Sequence, residues 1–158
     1  MFRPIRNRKN EISAEAAKKL LAAARRGVLA MCGDDGYPYA VPINYRYCES
    51  ENRIYFHGAH AGYKAELLKK DGKVCFTVYG NEAVKDEAWA PYVQSVVVFG
   101  RCTPVTDRTR TIELVRKFAE KYYPNTELIE REIAVSGKAV QMFEIEIEHL
   151  SGKEVQEK

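Results

Sequence analysis

Tyr37-Pro38-Tyr39-Ala40-Val41-Pro42-Ile43-Asn44-Tyr45-Arg46-Tyr47 alternates without a fault. Tyr37, Tyr39, Val41, Ile43, Tyr45 and Tyr47 share one side; Pro38, Ala40, Pro42, Asn44 and Arg46 share the other. A period of two marks a strand, because successive side chains of extended backbone point to opposite faces. Pro38 and Pro42 donate no backbone hydrogen bond, so ladder pairing on that side is interrupted, as at an edge or a bulge. Something other than a neighbouring strand can occupy such a gap.

Upstream, residues 27–33 read as a buried strand, and Gly33-Asp34-Asp35-Gly36 as the tight turn joining it to the alternating stretch. Before them, Ser13 is a good N-cap, and Ala16/Ala17, Leu20/Leu21 and Ala24 fall at helical spacing. Gly27 reads as the stop of that helix, with Arg25-Arg26 at its negative end. Downstream come a polar turn at 49–52, strands at 53–57, 73–79 and 95–105, and a helix at 62–70. Asp107 can cap a helix carrying Ile112, Val115, Phe118 or Ala119, and Tyr122, which Tyr123-Pro124 ends. A further helix is predicted over 125–136, and a last strand over 140–148 with Phe143, Ile145 and Ile147 inside. His149 follows that strand with no evident partner. Six strands among three or four helices predict an α+β, mainly antiparallel protein, which closes most economically as a barrel with peripheral helices.

The 158 residues fit one domain, 1–158, with a basic arm over 1–12 that carries Arg3, Arg6, Arg8 and Lys9. The arm reads as solvated, with contact to an anion as the alternative. A net charge of +3, from 25 basic and 22 acidic residues, is too balanced to imply nucleic acid as partner. No apolar run has membrane-span length and none of signal-peptide type follows the N-terminus, so no membrane association and a cytoplasmic location are expected. Cys32, Cys48, Cys75 and Cys102 form no CxxC pair, and the histidines have no ligand spacing, so no metal site is expected. Cys32, Cys75 and Cys102 sit in apolar runs and read as structural.

Chemistry concentrates at Phe56-His57-Gly58-Ala59-His60-Ala61-Gly62-Tyr63-Lys64. A strand runs into a glycine-containing loop that opens a helix, and free amides at a helix N-terminus beside an ammonium make a phosphate site. Lys64 lies in the first turn, where a cation opposes the helix dipole and a bound anion would resolve the conflict. A strand-to-helix turn with an ordinary surface lysine is the alternative. His57 projects with Tyr55 from the face opposite Ile54 and Phe56, as either a structural histidine or a catalytic one. Sequences with G-x-G-x-x-G, G-x-x-x-x-G-K-[ST] or G-x-S-x-G are missing, which disfavours a dinucleotide fold, a P-loop NTPase and an α/β-hydrolase.

Gly27-Val28-Leu29-Ala30, the stretch 33–47, Ile54-Tyr55-Phe56-His57-Gly58-Ala59, Gly62-Tyr63-Lys64, the strand opened by Lys73 and Ser95-Val96-Val97-Val98-Phe99-Gly100 stand in a specific order. Together they resemble the nitroimidazole-resistance branch of the pyridoxamine-phosphate-oxidase-like flavoproteins, over nearly the whole chain. The resemblance implies a six-stranded split barrel that forms a homodimer and binds FMN in clefts at the subunit interface. It implies that Pro42, Ile43 and Asn44 face the isoalloxazine ring, and that Phe56 and His57 border the ring and ribityl chain. Gly58, Ala59, Gly62, Tyr63 and Lys64 would take the phosphate, and Ser95 stands where the oxidases have a flavin-contacting glutamine. The oxidases proper carry a basic-rich strand and a Ser-Arg-Lys motif where this chain has Val41-Pro42-Ile43-Asn44 and Gly62-Tyr63-Lys64. The implied activity is an FMN-dependent oxidoreductase acting on a flat aromatic compound such as a nitroimidazole, with His57 as proton donor. The rivals are a non-catalytic flavin or haem carrier, with His57 or His60 on the iron, and a homodimer whose cleft is vestigial.

Overall fold

β1 (Arg26–Cys32) and β2 (Pro38–Asn44) form an antiparallel hairpin, with Arg26 opposite Asn44 and Cys32 opposite Pro38. The computed structural model describes residues 1–84, 86 and 91–155. Asp35 and Gly36 make the reversal with φ of 58° and 78°, left-handed values that Asp and Gly tolerate. β3 (Arg46–Cys48), β4 (Arg53–Gly58), β5 (Lys73–Ala83), β6 (Tyr92–Pro104) and β7 (Gln141–Val155) complete one sheet in the order β2-β1-β5-β6-β7-β4-β3.

The described residues form seven strands where six were expected, because the alternating stretch breaks at Tyr45. Its halves, β2 and β3, lie at opposite edges of the sheet although one residue separates them. That single connection obliges the sheet to curl until its edges approach, which makes the split barrel. β2 comes close to β4 without pairing with it. The prolines therefore sit on an edge strand, the place such residues are tolerated.

The interior follows the period of two. Ile43, Tyr45, Tyr47, Ile54, Phe56, Phe76, Val96, Val98 and Ile145 are all buried in one cluster. Tyr37 departs from the pattern: it precedes β2 and is 78% exposed. Gly27 lies inside β1, where an added Cβ would come within 2.2 Å of the Phe76 ring. It is thus a close-approach glycine, and the first helix ends before it. β7 extends past the expected end, so His149 lies within a strand and stacks on Phe2 at 4.8 Å between centroids.

Among the described residues four α-helices accompany the sheet. α1 (Ala14–Ala23) is capped by Ser13, whose hydroxyl accepts the N–H of Ala16 at 3.1 Å, and buries Ala17, Leu20 and Leu21. α2 (Tyr63–Lys70) buries Ala65, Leu67 and Leu68. α3 (Arg108–Tyr122) and α4 (Thr126–Ser136) are capped by Asp107 and Asn125 and lie beside each other, with α3 against β3, β4 and β7. α3 buries Thr111, Leu114 and Phe118, a stripe shifted from the expected one through Ile112. The four cysteines are free; Cys102 is buried, whereas Cys32 is exposed rather than structural.

Candidate functional site

β3 pairs with only Arg53–Tyr55 of β4, so Phe56, His57 and Gly58 have a strand on one side alone, that of β7. The outer edge of β2, from Pro38 to Asn44, also lacks a partner strand among the described residues. These two free edges bound the split. Unpaired peptide groups along both can meet a ligand where a ladder would otherwise consume them.

The N-terminus of α2 closes one end of this region. Gly62 is its N-cap and offers no side chain, in contrast to Ser13, Asp107 and Asn125 on the other α-helices. At φ 110° and ψ 167° it occupies a region open to glycine alone, and nothing lies within 4 Å of where its Cβ would be. The position a side chain of residue 62 would fill is therefore open. The Lys64 side chain lies against β4: a Cβ on Gly58 would stand 3.5 Å from Nζ, which itself sits 5.5 Å from the centroid of the Phe56 ring. Among the described residues no carboxylate pairs with this ammonium. Burial lowers its pKa below the ordinary lysine value, so charge is held there against a desolvation cost that an anion would relieve. Tyr63 turns elsewhere: its hydroxyl accepts the N–H of Asp34 at 3.0 Å and its ring meets Tyr39 edge-on. Ala59 and His60 are exposed on the loop.

Phe56 is fully buried and stacked on Phe143 at 5.2 Å, so it supports Lys64 from within and presents no ring face to a ligand. His57 points the other way, as the alternation requires. Its imidazole meets Phe118 edge-on at 5.0 Å and lines a cleft of about 480 Å³ between α3, α4 and the outer side of β4 and β7. Desolvation first, and the Lys64 charge second, lower its pKa below the ordinary histidine value, although much of the residue stays open to solvent. No motif announces this cleft, whose walls come from Val115 and Phe118 of α3, Ile129 and Ile133 of α4, and Met142 of β7. Ser95 is not part of either region. It pairs with Tyr79 and Lys153 on the outward side of β6, three strands from Asn44.

The outward side of the central strands is unusual. Val28 and Ala30 of β1, Cys75 and Thr77 of β5, and Val97 and Phe99 of β6 form an apolar face. Among the described residues α3 packs over β3, β4 and β7, whereas α1 meets β3, β5, β6 and β7 and α2 meets β1 and β6. No described helix is long and apolar enough to cross a membrane, and no group of three or more described His, Cys, Asp or Glu residues could hold a metal ion.

The curled antiparallel sheet is a split barrel. The sequence profile of the pyridoxamine 5'-phosphate oxidase family matches residues 13–154, and the chain belongs to that family. Searching curated proteins gives no match. Among solved structures, a protein from Bacteroides thetaiotaomicron assigned to 5-nitroimidazole antibiotic resistance superposes with a TM-score of 0.77. It is 16% identical, over 91% of this chain and 86% of that one. An FAD-binding protein from Mesorhizobium loti is 27% identical over 92% and 97% of the two chains, with a TM-score of 0.65. A flavocytochrome from Azotobacter vinelandii is 22% identical over 98% and 73%, with a TM-score of 0.77.

Proposed function

We propose that this chain is an FMN-dependent oxidoreductase that works as a homodimer and reduces flat aromatic compounds of the nitroimidazole kind. The observation that carries the reading is the Lys64 ammonium, half-buried and without a carboxylate, at a helix N-terminus flanked by Gly58 and Gly62. Helix amides, the dipole and a cation converge there on one anion, and a terminal phosphate monoester fits that charge. The family membership and the flavin-binding Mesorhizobium loti protein support the same ligand class.

Bound in the split, the flavin would supply reversible exchange of electrons and hydride. Lys64 and the α2 amides would hold its phosphate, with Ala59 and Gly62 leaving room for it. The free backbone edge at Pro42, Ile43 and Asn44 would hydrogen-bond the polar rim of the ring. The resemblance would make His57 the proton donor as negative charge builds on nitro oxygens; its imidazole makes no hydrogen bond to a described residue, and a substrate would have to reach it where it borders the α3–α4 cleft. The apolar outward face of β1, β5 and β6 supports association with a second copy, which would cover it.

Titration of FMN and riboflavin into the wild-type chain and Lys64→Ala tests the reading. A charge-assisted bond is worth about 1.5–3 kcal/mol, so FMN should weaken by about one to two decades while riboflavin changes far less. Equal losses for both ligands would overturn it. The absorption spectrum of the purified protein separates flavin bands from the Soret band that a haem carrier would give.

A further inference from the structure

We infer that the cleft between α3 and α4 is a second small-molecule site, selective for apolar compounds that carry one protonated nitrogen. The inference concerns binding and stands whether or not the chain holds flavin. An apolar pocket with a few convergent polar groups is the usual form of a ligand site. At about 480 Å³ it has the size of such a site, and its walls are Phe118, Ile129, Ile133 and Met142.

Two polar groups face the same space. On α4, Ile129, Glu132, Ile133 and Ser136 recur at intervals of three and four, which puts Glu132 on the stripe that lines the cleft. The Glu132 carboxylate accepts the Ser136 hydroxyl at 2.7 Å, and no described cation pairs with it, although the neighbouring Glu130 is engaged by Arg116. Opposite stands the unbonded imidazole of His57. The cleft thus offers an apolar body pocket, one carboxylate without a described cation and one imidazole without a described hydrogen-bond partner. That set complements an ammonium on an aromatic or branched aliphatic frame and repels a carboxylate on the same frame.

The test uses three probes with one frame: naphthalene, 1-naphthylmethylamine and 1-naphthoate, titrated calorimetrically at low ionic strength into the full chain, with and without saturating FMN. Because Glu132 is exposed, its ion pair is worth at most about 1 kcal/mol. The amine should therefore bind about fivefold more tightly than naphthalene, and the acid should bind more weakly than naphthalene. Glu132→Gln should remove the difference between amine and hydrocarbon, and Ile133→Trp, which fills the cleft from a half-buried position, should remove binding of all three. Equal binding of amine and acid, binding that survives Ile133→Trp in a folded protein, displacement of the amine by FMN, or no binding at all would overturn the inference.

Discussion

The phenolic oxygen of Tyr122 accepts the backbone N–H of Tyr45 at 2.8 Å and lies 2.7 Å from the carbonyls of both Arg25 and Tyr45. One side chain near the end of α3 thus satisfies the peptide groups where the chain leaves β2 for the far edge of the sheet. Removing the hydroxyl would leave a part-buried N–H without its acceptor. Tyr122→Phe is expected to cost about 1–3 kcal/mol. The urea midpoint should fall with an unchanged slope; an unmoved midpoint would show that water replaces the hydroxyl.

Lys121 joins the same junction. Its Nζ donates to the carbonyls of Ala24 at 2.7 Å and Tyr45 at 3.1 Å, and lies 4.0 Å from the centroid of the Tyr45 ring. Burial, then the charges of Arg25 and Arg46, bring its pKa down from 10.5 to about 8. Between those values the unfolded chain holds more protons than the fold, so stability rises with pH through that window and this contribution is flat below it. Tyr45 and Tyr122, both held above the ordinary phenol range, oppose the trend only above about pH 10. Urea midpoints at pH 7 and 9.5 should therefore diverge between the wild type and Lys121→Met, the wild type gaining as pH rises. Parallel curves would contradict the assignment.

Gly62→Ala isolates the backbone at the phosphate cradle. No atom within 4 Å would meet the new methyl group, so the cost is conformational alone, about 1–3 kcal/mol for a residue forced into a glycine-only region. Thermal unfolding should register that loss, and FMN affinity should fall with it. Affinity that falls at unchanged stability would mean that the methyl group blocks the ligand directly.

The charge of Lys64 acts on His57 through the end of β4. Lys64→Met should raise the His57 pKa, and FMN phosphate bound at Lys64 should raise it as well, both visible in imidazole proton shifts during an NMR titration. The fold prefers neutral His57, so its contribution is complete above about pH 6.5 and is lost as pH falls toward the depressed folded value. Lys64→Met should narrow that window. An unchanged His57 titration in both experiments would place the cause in burial alone.

For the proposed dimer, Val97→Lys puts a charge in the middle of the apolar face of β6 without touching the barrel interior. Sedimentation at micromolar concentration should change from the dimer to a species of 18.0 kDa. A wild type that already sediments at 18.0 kDa would end the proposal.

Much of this architecture is written in the side-chain pattern. The alternation through residues 38–47 assigns Ile43, Tyr45 and Tyr47 inward and Pro38, Ala40 and Pro42 outward, as the burial shows. The break at Tyr45 leaves no mark, because exchanging one sheet edge for the other alters hydrogen-bond partners and not facing. The tyrosines look too many for one small barrel to enclose, yet Tyr45 and Tyr55 are fully buried by their own chain, Tyr55 under α3. The Gly58–Lys64 turn is legible because its glycines, helix start and lysine are neighbours in sequence. The His57 cleft is not, since α3, α4, β4 and β7 contribute to it from stretches that run from residue 57 to residue 142.

The sheet order has a consequence for synthesis on the ribosome. Before residues 141–155 emerge, β2-β1-β5-β6 and β4-β3 are two separate groups of strands, each assembled largely from neighbouring hairpins. β7 is the strand that joins them, with β6 on one flank and β4 on the other. The nascent chain therefore carries both halves of the barrel, with their apolar interiors, until β7 is free of the exit tunnel. Chaperone contacts should concentrate in that interval, and a single closing event should end them.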